Sequence, residues 1–335
     1  MYKFTIILIL TSLLTLSSYA DELRLQDNAP ARYTVVKGDT LWDISGKFLQ
    51  DPWKWPQIWG MNKEEIKNPH WIYPGDVIVL DTSGASPRLS LIHSGTLRTV
   101  VLSPEVRSSA IDESGIPPIP TTSISAFLDH PYVMTKDALD KAPRILKFVD
   151  DHLAAGAGDE AYATNDGSNT LNWKVLRPSN PLIDPATQAI LGYKVIYLGE
   201  AHTVSEGNPQ RILIVTSPQE IQKGDRLKTE HDTYSFRYVP HAPSNPVNGQ
   251  VISTDGGLFE AGQYDTIILN KGRHDGLDEG TVLAVYKNQG KVEGITIPDS
   301  RLGLIMVYRA FDKVSYALIM QTTSSVNLYD FVRNP

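Results

Sequence analysis

The sequence predicts an α+β protein, in which a small β-α-α-β unit near the N-terminus precedes a mostly β region of one or more small barrel-like or sandwich-like domains. Apolar residues recur at helical spacing mainly between residues 33 and 81, a segment that also holds five of the six tryptophans. After residue 88, short apolar runs alternate with turn clusters, which is typical of strands. At 335 residues and 41% hydrophobic composition, the chain is long enough for two or three domains.

The first strand and the first helix are predicted by local signals. Tyr33–Val36 is a β-branched and aromatic run, and Lys37-Gly38-Asp39 ends it with residues that favour a turn. Thr40 followed by Asp43 is a capping-box pattern, which predicts a helix that begins at residue 41. The apolar residues of this predicted helix are Leu41, Ile44 and Phe48.

A second helix and a closing strand complete the predicted unit. Asp51-Pro52 interrupts the first helix, and Pro56 suits the first turn of a second helix that ends near Asn62. Pro74-Gly75-Asp76 then predicts a turn into the apolar run Val77–Leu80. We expect this run to pair with the opening strand.

Residues 33–81 resemble a LysM domain, the fold that binds N-acetylglucosamine-containing polymers of bacterial cell walls. The resemblance rests on Gly38-Asp39-Thr40-Leu41-Trp42 and on Tyr73-Pro74-Gly75-Asp76, which match the two signature loops of the family, with Asn62 at the asparagine near the end of the second helix. The tryptophan-rich insert Gln50–Trp55 departs from the family pattern, because it lengthens the link between the two helices.

The resemblance implies a sugar-binding groove between the loop after the first strand and the loop before the last. Small residues there expose backbone amides and carbonyls, and aromatic faces cover the C–H surface of a sugar. Gly38 and Gly75 are equally explained as turn residues. We expect Trp42 and Trp59 to pack inside the fold. Trp53, Trp55 and Trp71 suit either packing or sugar contact. The implied glycan-binding residues are Gly38, Asp39, Thr40, Leu41, Asn62, Ile72, Tyr73 and Pro74.

Residues 1–20 have the pattern of a signal peptide. A positive start at Lys3 precedes the apolar run Phe4–Leu16, and Ser18-Tyr19-Ala20 predicts cleavage after Ala20. The run is short for a membrane span, so we expect none after cleavage. Because the chain contains no cysteine, it has neither a disulfide nor a site for lipid attachment at an N-terminal cysteine. These features predict a periplasmic protein.

The charge balance points away from nucleic acid. The formal net charge is −7, and no basic cluster interrupts the sequence. Nucleic acids and anionic membranes attract basic surfaces, so neither is an expected partner. We expect the partners to be peptidoglycan, through its N-acetylglucosamine-containing glycan, and an envelope protein.

The rest of the chain is predicted to form three parts, which differ in composition and in their pattern of apolar residues. Residues 82–90 are a Ser/Gly/Pro linker, and residues 91–180 are a β-rich connecting domain that includes the proline-rich stretch 116–120. That stretch suits either a surface connector or a polyproline ligand. Residues 181–335 are predicted to form small β-barrel-like modules.

An internal repeat is indicated within these modules, at residues 184–230 and 263–335. Each copy reads as a strand, a loop and a returning strand that lead to an acidic turn or end. Unrelated strands with similar patterns would give the same alignment, so both explanations stay open. The aligned strands are Leu191–Gly199 with Leu302–Ala310 and Ile212–Thr216 with Ala317–Gln321.

The sequence predicts no catalytic residue, no metal site and no cofactor. Thiol enzymes are excluded because cysteine is absent, and the eight histidines are scattered singly. His274, Asp275 and Asp278 fit a glycine-rich turn better than a metal site. Gly-x-Ser-x-Gly and Ser-x-x-Lys motifs are absent. A glycosidase needs only two carboxylates, which a sequence cannot exclude.

Three functions therefore compete. The first is a non-catalytic exported protein that binds peptidoglycan at one groove and uses its β-rich part for protein contacts. The second is a cell-wall hydrolase of an unrecognised type. The third is a structural component of an envelope, flagellar or secretion assembly.

Overall fold

The computed structural model describes most of the chain in two compact units, residues 1–119 and residues 120–335. The predicted signal peptide, Trp59, Asn62, Trp71 and the proline-rich stretch lie outside the described residues. In the described part, no helix has the length and apolar character needed to cross a membrane. The described residues are 23–58, 72–84, 87–92, 132–150, 152–168, 170–229, 239–254 and 260–335.

The first unit combines two short helices with an antiparallel sheet. The sheet has the order β1-β2-β3, and Tyr33 lies opposite Ile78 in the pairing of β1 with β2. The predicted pairing of the first and last strands is therefore confirmed. The elements are β1 Arg32–Thr34, α1 Leu41–Phe48, a 3-10 helix Pro52–Lys54, α2 Trp55–Ile58, β2 Val77–Asp81 and β3 Arg88–Ile92.

Local chemistry places α1 as predicted. The side chain of Thr40 accepts a hydrogen bond from the backbone N–H of Asp43 at 3.1 Å, which caps the helix N-terminus. Behind the cap, Ile44 and Phe48 are completely buried against Ile58 and Ile78. These contacts form one small apolar core shared by the helices and the sheet.

β3 was not predicted from the sequence. Residues 82–90 were expected to form a linker, but Arg88–Ser90 are part of β3 and pair with β2. The reason is packing, because Leu89 is buried in the core of the first unit. The structure therefore extends this unit beyond the predicted end at residue 81.

In the second unit, β4 and α3 precede a β-rich substructure that we call the first barrel, residues 143–229. Its strands follow the path β12-β8-β9-β10-β7-β5, and β4 pairs with β9 beside that path. The two end strands meet, because the N–H of Ile145 donates to the carbonyl of Asp225 at 2.9 Å and the N–H of Leu227 donates to Pro143 at 2.7 Å. The elements are β4 Tyr132–Met134, α3 Lys136–Lys141, β5 Ile145–Phe148, β6 Ala154–Ala155, β7 Glu160–Ala163, β8 Asn172–Ile183, β9 Ile190–Ser205, β10 Gln210–Thr216, β11 Ile221–Gln222 and β12 Arg226–Thr229.

The second barrel, residues 248–333, is closed in the strand order β13-β15-β20-β19-β16-β22. A 3-10 helix at Arg273–Asp275 follows β15. The fold class is thus confirmed: a small helical unit precedes strand-rich modules that include a six-stranded barrel. The elements are β13 Asn248–Thr254, β14 Glu260–Ala261, β15 Thr266–Leu269, β16 Val282–Lys287, β17 Lys291–Val292, β18 Ile295–Thr296, β19 Ser300–Ala310, β20 Ser315–Thr322, β21 Val326–Asn327 and β22 Phe331–Arg333.

The two barrels have the same strand pairings. The neighbours β8-β9-β10-β7-β5 of the first correspond to β16-β19-β20-β15-β13 of the second, and the small pair β6-β11 corresponds to β14-β21. The predicted division at residue 181 falls inside β8, which pairs with β9 along its length. The structure therefore divides the second unit between the barrels and not at residue 181.

The register of the repeat differs from the sequence alignment. Leu191–Gly199 was aligned with Leu302–Ala310, but the strand pairings make Gly199 equivalent to Gly303. Both glycines sit where a side chain has no room: an added Cβ would overlap the carbonyl oxygen of Thr216 in one barrel and of Gln321 in the other. Residues 200–203, expected in a loop, continue β9.

Six turns in the described part share one hydrogen-bonding pattern, and each ends at an aspartate. The carboxylate accepts a hydrogen bond from the N–H three residues earlier at 2.7 to 2.9 Å. The residue before the aspartate has positive φ, which favours glycine there. The turns are Val36–Asp39, Tyr73–Asp76, Gly156–Asp159, Gln222–Asp225, Gly262–Asp265 and Asn327–Asp330.

Five of these turns are fastened to a buried residue of a neighbouring segment. In the second barrel, for example, the N–H of Tyr329 donates to the carbonyl of Val251 at 2.8 Å, and the N–H of Val251 donates to that of Asp330 at 3.0 Å. This reciprocal pair fixes each turn against the core. The five fastening residues are Val35, Ile145, Ile214, Val251 and Ile319.

The glycine at the shared barrel position gives a stability test. We expect Gly303→Ala to lower the free energy of unfolding by about 3 kcal/mol or more, because the added methyl group meets backbone that cannot rotate away. Gly156→Ala is the matched control, since its added Cβ meets no atom within 4 Å. Urea unfolding followed by far-UV circular dichroism measures both. Equal stabilities of the two variants would contradict the proposed close packing.

Candidate functional site

The two loops predicted to form the groove lie side by side in the first unit. The N–H of Gly75 donates to the carbonyl of Val35 at 2.8 Å, and the N–H of Val35 donates to the carbonyl of Asp76 at 2.9 Å. Val35 immediately precedes the turn Val36–Asp39, so one residue fastens both loops. The structure thus brings together two segments that are more than thirty residues apart in the sequence.

Asp39 holds the first loop in shape. One of its carboxylate oxygens, Oδ2, accepts hydrogen bonds from the N–H of Val36 and from the hydroxyl of Tyr33, both at 2.9 Å. Lys47 places its ammonium group 5.0 Å from the centre of the Tyr33 ring. Asp39 is therefore occupied with its own loop, and only part of its surface remains open to a ligand.

Asp76 has the same role in the second loop. Its Oδ2 accepts the N–H of Tyr73 at 2.9 Å, and its carboxylate is buried. The loop turns outward at Tyr73-Pro74-Gly75, where all three residues are exposed. The hydrogen bond to Asp76 thus fixes the backbone of this loop, while its outer residues remain exposed to solvent.

The predicted site residues divide into an exposed set and a buried set. Gly38, Tyr73 and Pro74 are exposed, and Asp39 is partly exposed. The side chains of Thr40, Leu41 and Ile72 are buried, so any contact that they make with a sugar has to come from backbone groups. In the first turn of α1, the N–H of Asp43 is bonded to Thr40, but the N–H groups of Leu41 and Trp42 have no acceptor within the helix and are suited to this. Asn62 lies outside the described residues.

Trp42, Trp53 and Trp55 are buried. For Trp42 this agrees with the sequence analysis, and for the other two it favours packing over sugar contact. The indole N–H groups of Trp53 and Trp55 have no hydrogen-bond partner within the described part of the chain. The tryptophan-rich insert therefore adds buried aromatic surface between the two short helices.

The described residues contain no group of three or more His, Asp or Glu side chains placed to hold a metal ion. Asp275 bonds to the N–H of Gly272 and to Lys271, as expected for a turn residue. Asp278 instead accepts hydrogen bonds from Thr281 and lies 2.9 Å from His241 Nε2. His241 is distant in sequence and was not singled out from the pattern.

The pKa of Asp278 reflects these contacts. Partial burial acts to raise it, but the hydrogen bonds from Thr281 and His241 outweigh burial and hold the pKa below its ordinary value. His241 also contacts the carbonyl of Val239 through Nδ1 at 3.0 Å. Both ring nitrogens therefore face acceptors, and the cluster fastens the segment before the second barrel to β16.

The bond between Tyr33 and Asp39 gives a pH test of the first loop. Burial, followed by the hydrogen bond to Asp39 and its charge, raises the pKa of Tyr33 to about 12. The neutral phenol is thus favoured in the folded state, and this stabilisation is complete below the unfolded pKa of about 10. It is lost as the pH rises from about 10 to about 12.

We expect Tyr33→Phe to remove that pH dependence and to lower stability at neutral pH. Urea unfolding followed by tryptophan fluorescence reports on the first unit, which holds most of the tryptophans. Tyr162→Phe, at an exposed tyrosine of the first barrel, is the control. Parallel losses of stability in wild type and Tyr33→Phe across this window would contradict the assignment.

Comparisons with known proteins agree with this geometry. The family model described as LysM domain matches residues 33–81. Uncharacterized protein YqbP of Bacillus subtilis (strain 168) is 49% identical over 61 residues, which cover 16% of this chain and 28% of that protein. The chain thus spans little more than a quarter of the length of this relative. The protein contains a LysM domain at residues 33–81.

Proposed function

We propose that this chain is a non-catalytic exported protein that binds peptidoglycan at one LysM groove and makes protein contacts through its two barrels. The observation that carries the proposal is the junction at Val35, which sets the exposed residues Gly38, Tyr73 and Pro74 on adjoining loops. A domain of this family suits N-acetylglucosamine-containing glycan. The glycan-binding residues proposed from the sequence are retained, with Thr40, Leu41 and Ile72 acting through their backbone.

The chemistry of the groove fits a neutral sugar. Tyr73 offers an aromatic face with 39% of its surface exposed, and Gly38 leaves the backbone of the first loop accessible. The Oδ2 atoms of Asp39 and Asp76 accept hydrogen bonds from Val36, Tyr33 and Tyr73, which gives both carboxylates a structural role. Recognition is therefore expected to depend on hydrogen bonds to hydroxyl and acetamido groups and on contact with C–H faces.

A single shallow groove implies weak binding. We expect a dissociation constant on the order of 10 µM to 1 mM, since few groups contact the sugar. Peptidoglycan repeats the same disaccharide many times, which permits rebinding along a strand. A single domain of this kind therefore binds the glycan and dissociates from it readily.

Export follows from the sequence pattern of residues 1–20 and from the expected ligand, which lies outside the cytoplasm. We propose cleavage after Ala20 and a periplasmic location. An envelope protein that contacts the barrels is the second proposed partner.

The six-stranded second barrel has an apolar interior, with side chains such as Ile267, Leu283 and Ile305 completely buried.

A tyrosine substitution tests glycan binding. We expect Tyr73→Ala to reduce the affinity for purified sacculi about fivefold, because an aromatic contact of this kind contributes about 1 kcal/mol. Tyr162→Ala is the matched control, since that tyrosine is 37% exposed on the first barrel. Co-sedimentation over a range of sacculus concentrations, with soluble N-acetylglucosamine oligomers as competitors, gives the affinities.

Two outcomes would contradict the proposal. Equal sedimentation of Tyr73→Ala and Tyr162→Ala would show that the groove is not the binding site. If the wild type does not sediment with sacculi, the protein does not bind the glycan. Release of soluble muropeptides during long incubation would instead favour the wall-hydrolase alternative.

A further inference from the structure

Each barrel carries a hairpin that extends from the same place in its topology. In the first barrel, the ends of β8 and β9 continue to a tip at residues 184–189, where Ile183 pairs with Ile190. In the second barrel, β17 and β18 form the corresponding hairpin between β16 and β19, and Val292 pairs with Ile295. The two hairpins are the counterparts of each other in the repeat, and both place a cross-strand apolar pair near the tip.

The hairpin of the first barrel contacts the second barrel. Asn270 Nδ2 donates a hydrogen bond to Asp184 Oδ2 at 2.9 Å, and Asp184 also accepts the backbone N–H groups of Ala186 and Thr187. Beside this contact, residues 190–193 and 311–314 face each other across a cavity of about 550 Å³. The contact thus joins the hairpin of the first barrel to the end of the second barrel that carries Asn270 and the turn at residues 311–314. We call this end of a barrel its loop end.

The first barrel has an equivalent loop end. Asn270 accepts the N–H of Gln250 through Oδ1 at 2.7 Å and donates its own N–H to the carbonyl of Gln250 at 3.1 Å. Thr164 does the same with Arg144: its Oγ1 accepts the N–H at 2.9 Å, and its N–H donates to the carbonyl at 2.9 Å. Thr164 is therefore the counterpart of Asn270.

This equivalent end is open in the described structure. The turn at residues 206–209, the counterpart of residues 311–314, is exposed. Leu171 and Val204, which lie next to it, are each 51% exposed. Leu171 accepts the N–H of Thr203, the residue before Val204, so both exposed side chains add apolar surface to this end of the barrel.

The hairpin of the second barrel is open as well. Val292 is 58% exposed and Ile295 is 68% exposed, and residues 288–295 are exposed throughout. Lys291 and Glu293 balance each other at the tip of this hairpin, so its exposed surface is mainly apolar. Within the described residues of the second unit, the hairpin of the second barrel and the loop end of the first barrel are therefore both exposed.

We propose that copies of this chain associate head to tail, with the hairpin at residues 288–299 of one copy docked on the loop end of the first barrel of the next, formed by Thr164, Leu171 and residues 204–209. The occupant is a second copy because the same kind of hairpin already docks on the same kind of loop end within one chain. Such a contact joins two different surfaces, so it continues into rows or closes into rings. The inference does not depend on glycan binding.

Two variants separate the two surfaces. Val292→Asp with Ile295→Asp removes the hairpin contact, and Leu171→Asp with Val204→Asp removes the loop-end contact. All four side chains are more than half exposed, so we expect the fold to tolerate the changes, and circular dichroism checks this. Val215→Asp, at an equally exposed valine of the first barrel, is the control. If a double variant unfolds, serine replaces aspartate at the same positions.

Sedimentation velocity over a concentration series, on protein without residues 1–20, measures the assembly. We expect the mass of wild type and of Val215→Asp to rise with concentration beyond a dimer, while each double variant remains monomeric. A mixture of the two double variants should form a one-to-one dimer and nothing larger, because one intact hairpin meets one intact loop end.

Three results would overturn the proposal. One is a wild type that remains monomeric at every concentration. Another is self-association of either double variant alone. The third is a mixture in which the two double variants fail to form a dimer.

Discussion

The structure depends on turns that an aspartate closes and a buried neighbouring residue holds in place. The carboxylate fixes the N–H three residues earlier, and the reciprocal bonds to residues such as Val35 and Val251 fix the turn against the core. A hydrogen bond to a charged acceptor is among the stronger ones that a protein makes, about 1.5 to 3 kcal/mol. Turns of this kind occur in both units. The loops of the proposed glycan site and the turns of the barrels are therefore fixed by the same hydrogen bonds.

The repeated barrels explain how a chain without disulfides remains ordered over a long β-rich region. Each barrel buries its own apolar interior, and the pair is joined where Asn270 bonds to Asp184. Barrel closure also leaves few strand edges open to unwanted pairing. The proposed contacts between copies lie at a barrel end and a hairpin, while the proposed glycan site lies in the separate LysM domain.

Local signals predicted much of the fold. The cap at Thr40 and the turns at the Gly-Asp pairs follow from residue type alone. The register of the repeat could not be predicted in this way. β9 contains both Leu191-Gly192 and Leu198-Gly199, and only contact with the neighbouring strand distinguishes the required glycine. β3 was missed because its burial depends on a distant core. In the site, the exposed residues were recognisable from the family pattern, but the burial of Thr40, Leu41 and Ile72 required the packed structure.

The central claim is that one groove, formed by the loops that Val35 joins, binds N-acetylglucosamine-containing glycan. The most direct measurement is an NMR titration of isotope-labelled protein with soluble N-acetylglucosamine oligomers, in which each backbone amide reports on its own surroundings. The account predicts saturable shifts concentrated at residues 36–41 and 72–76, with the barrels unchanged. Saturable shifts confined to the barrels, or no shifts at millimolar sugar, would contradict it.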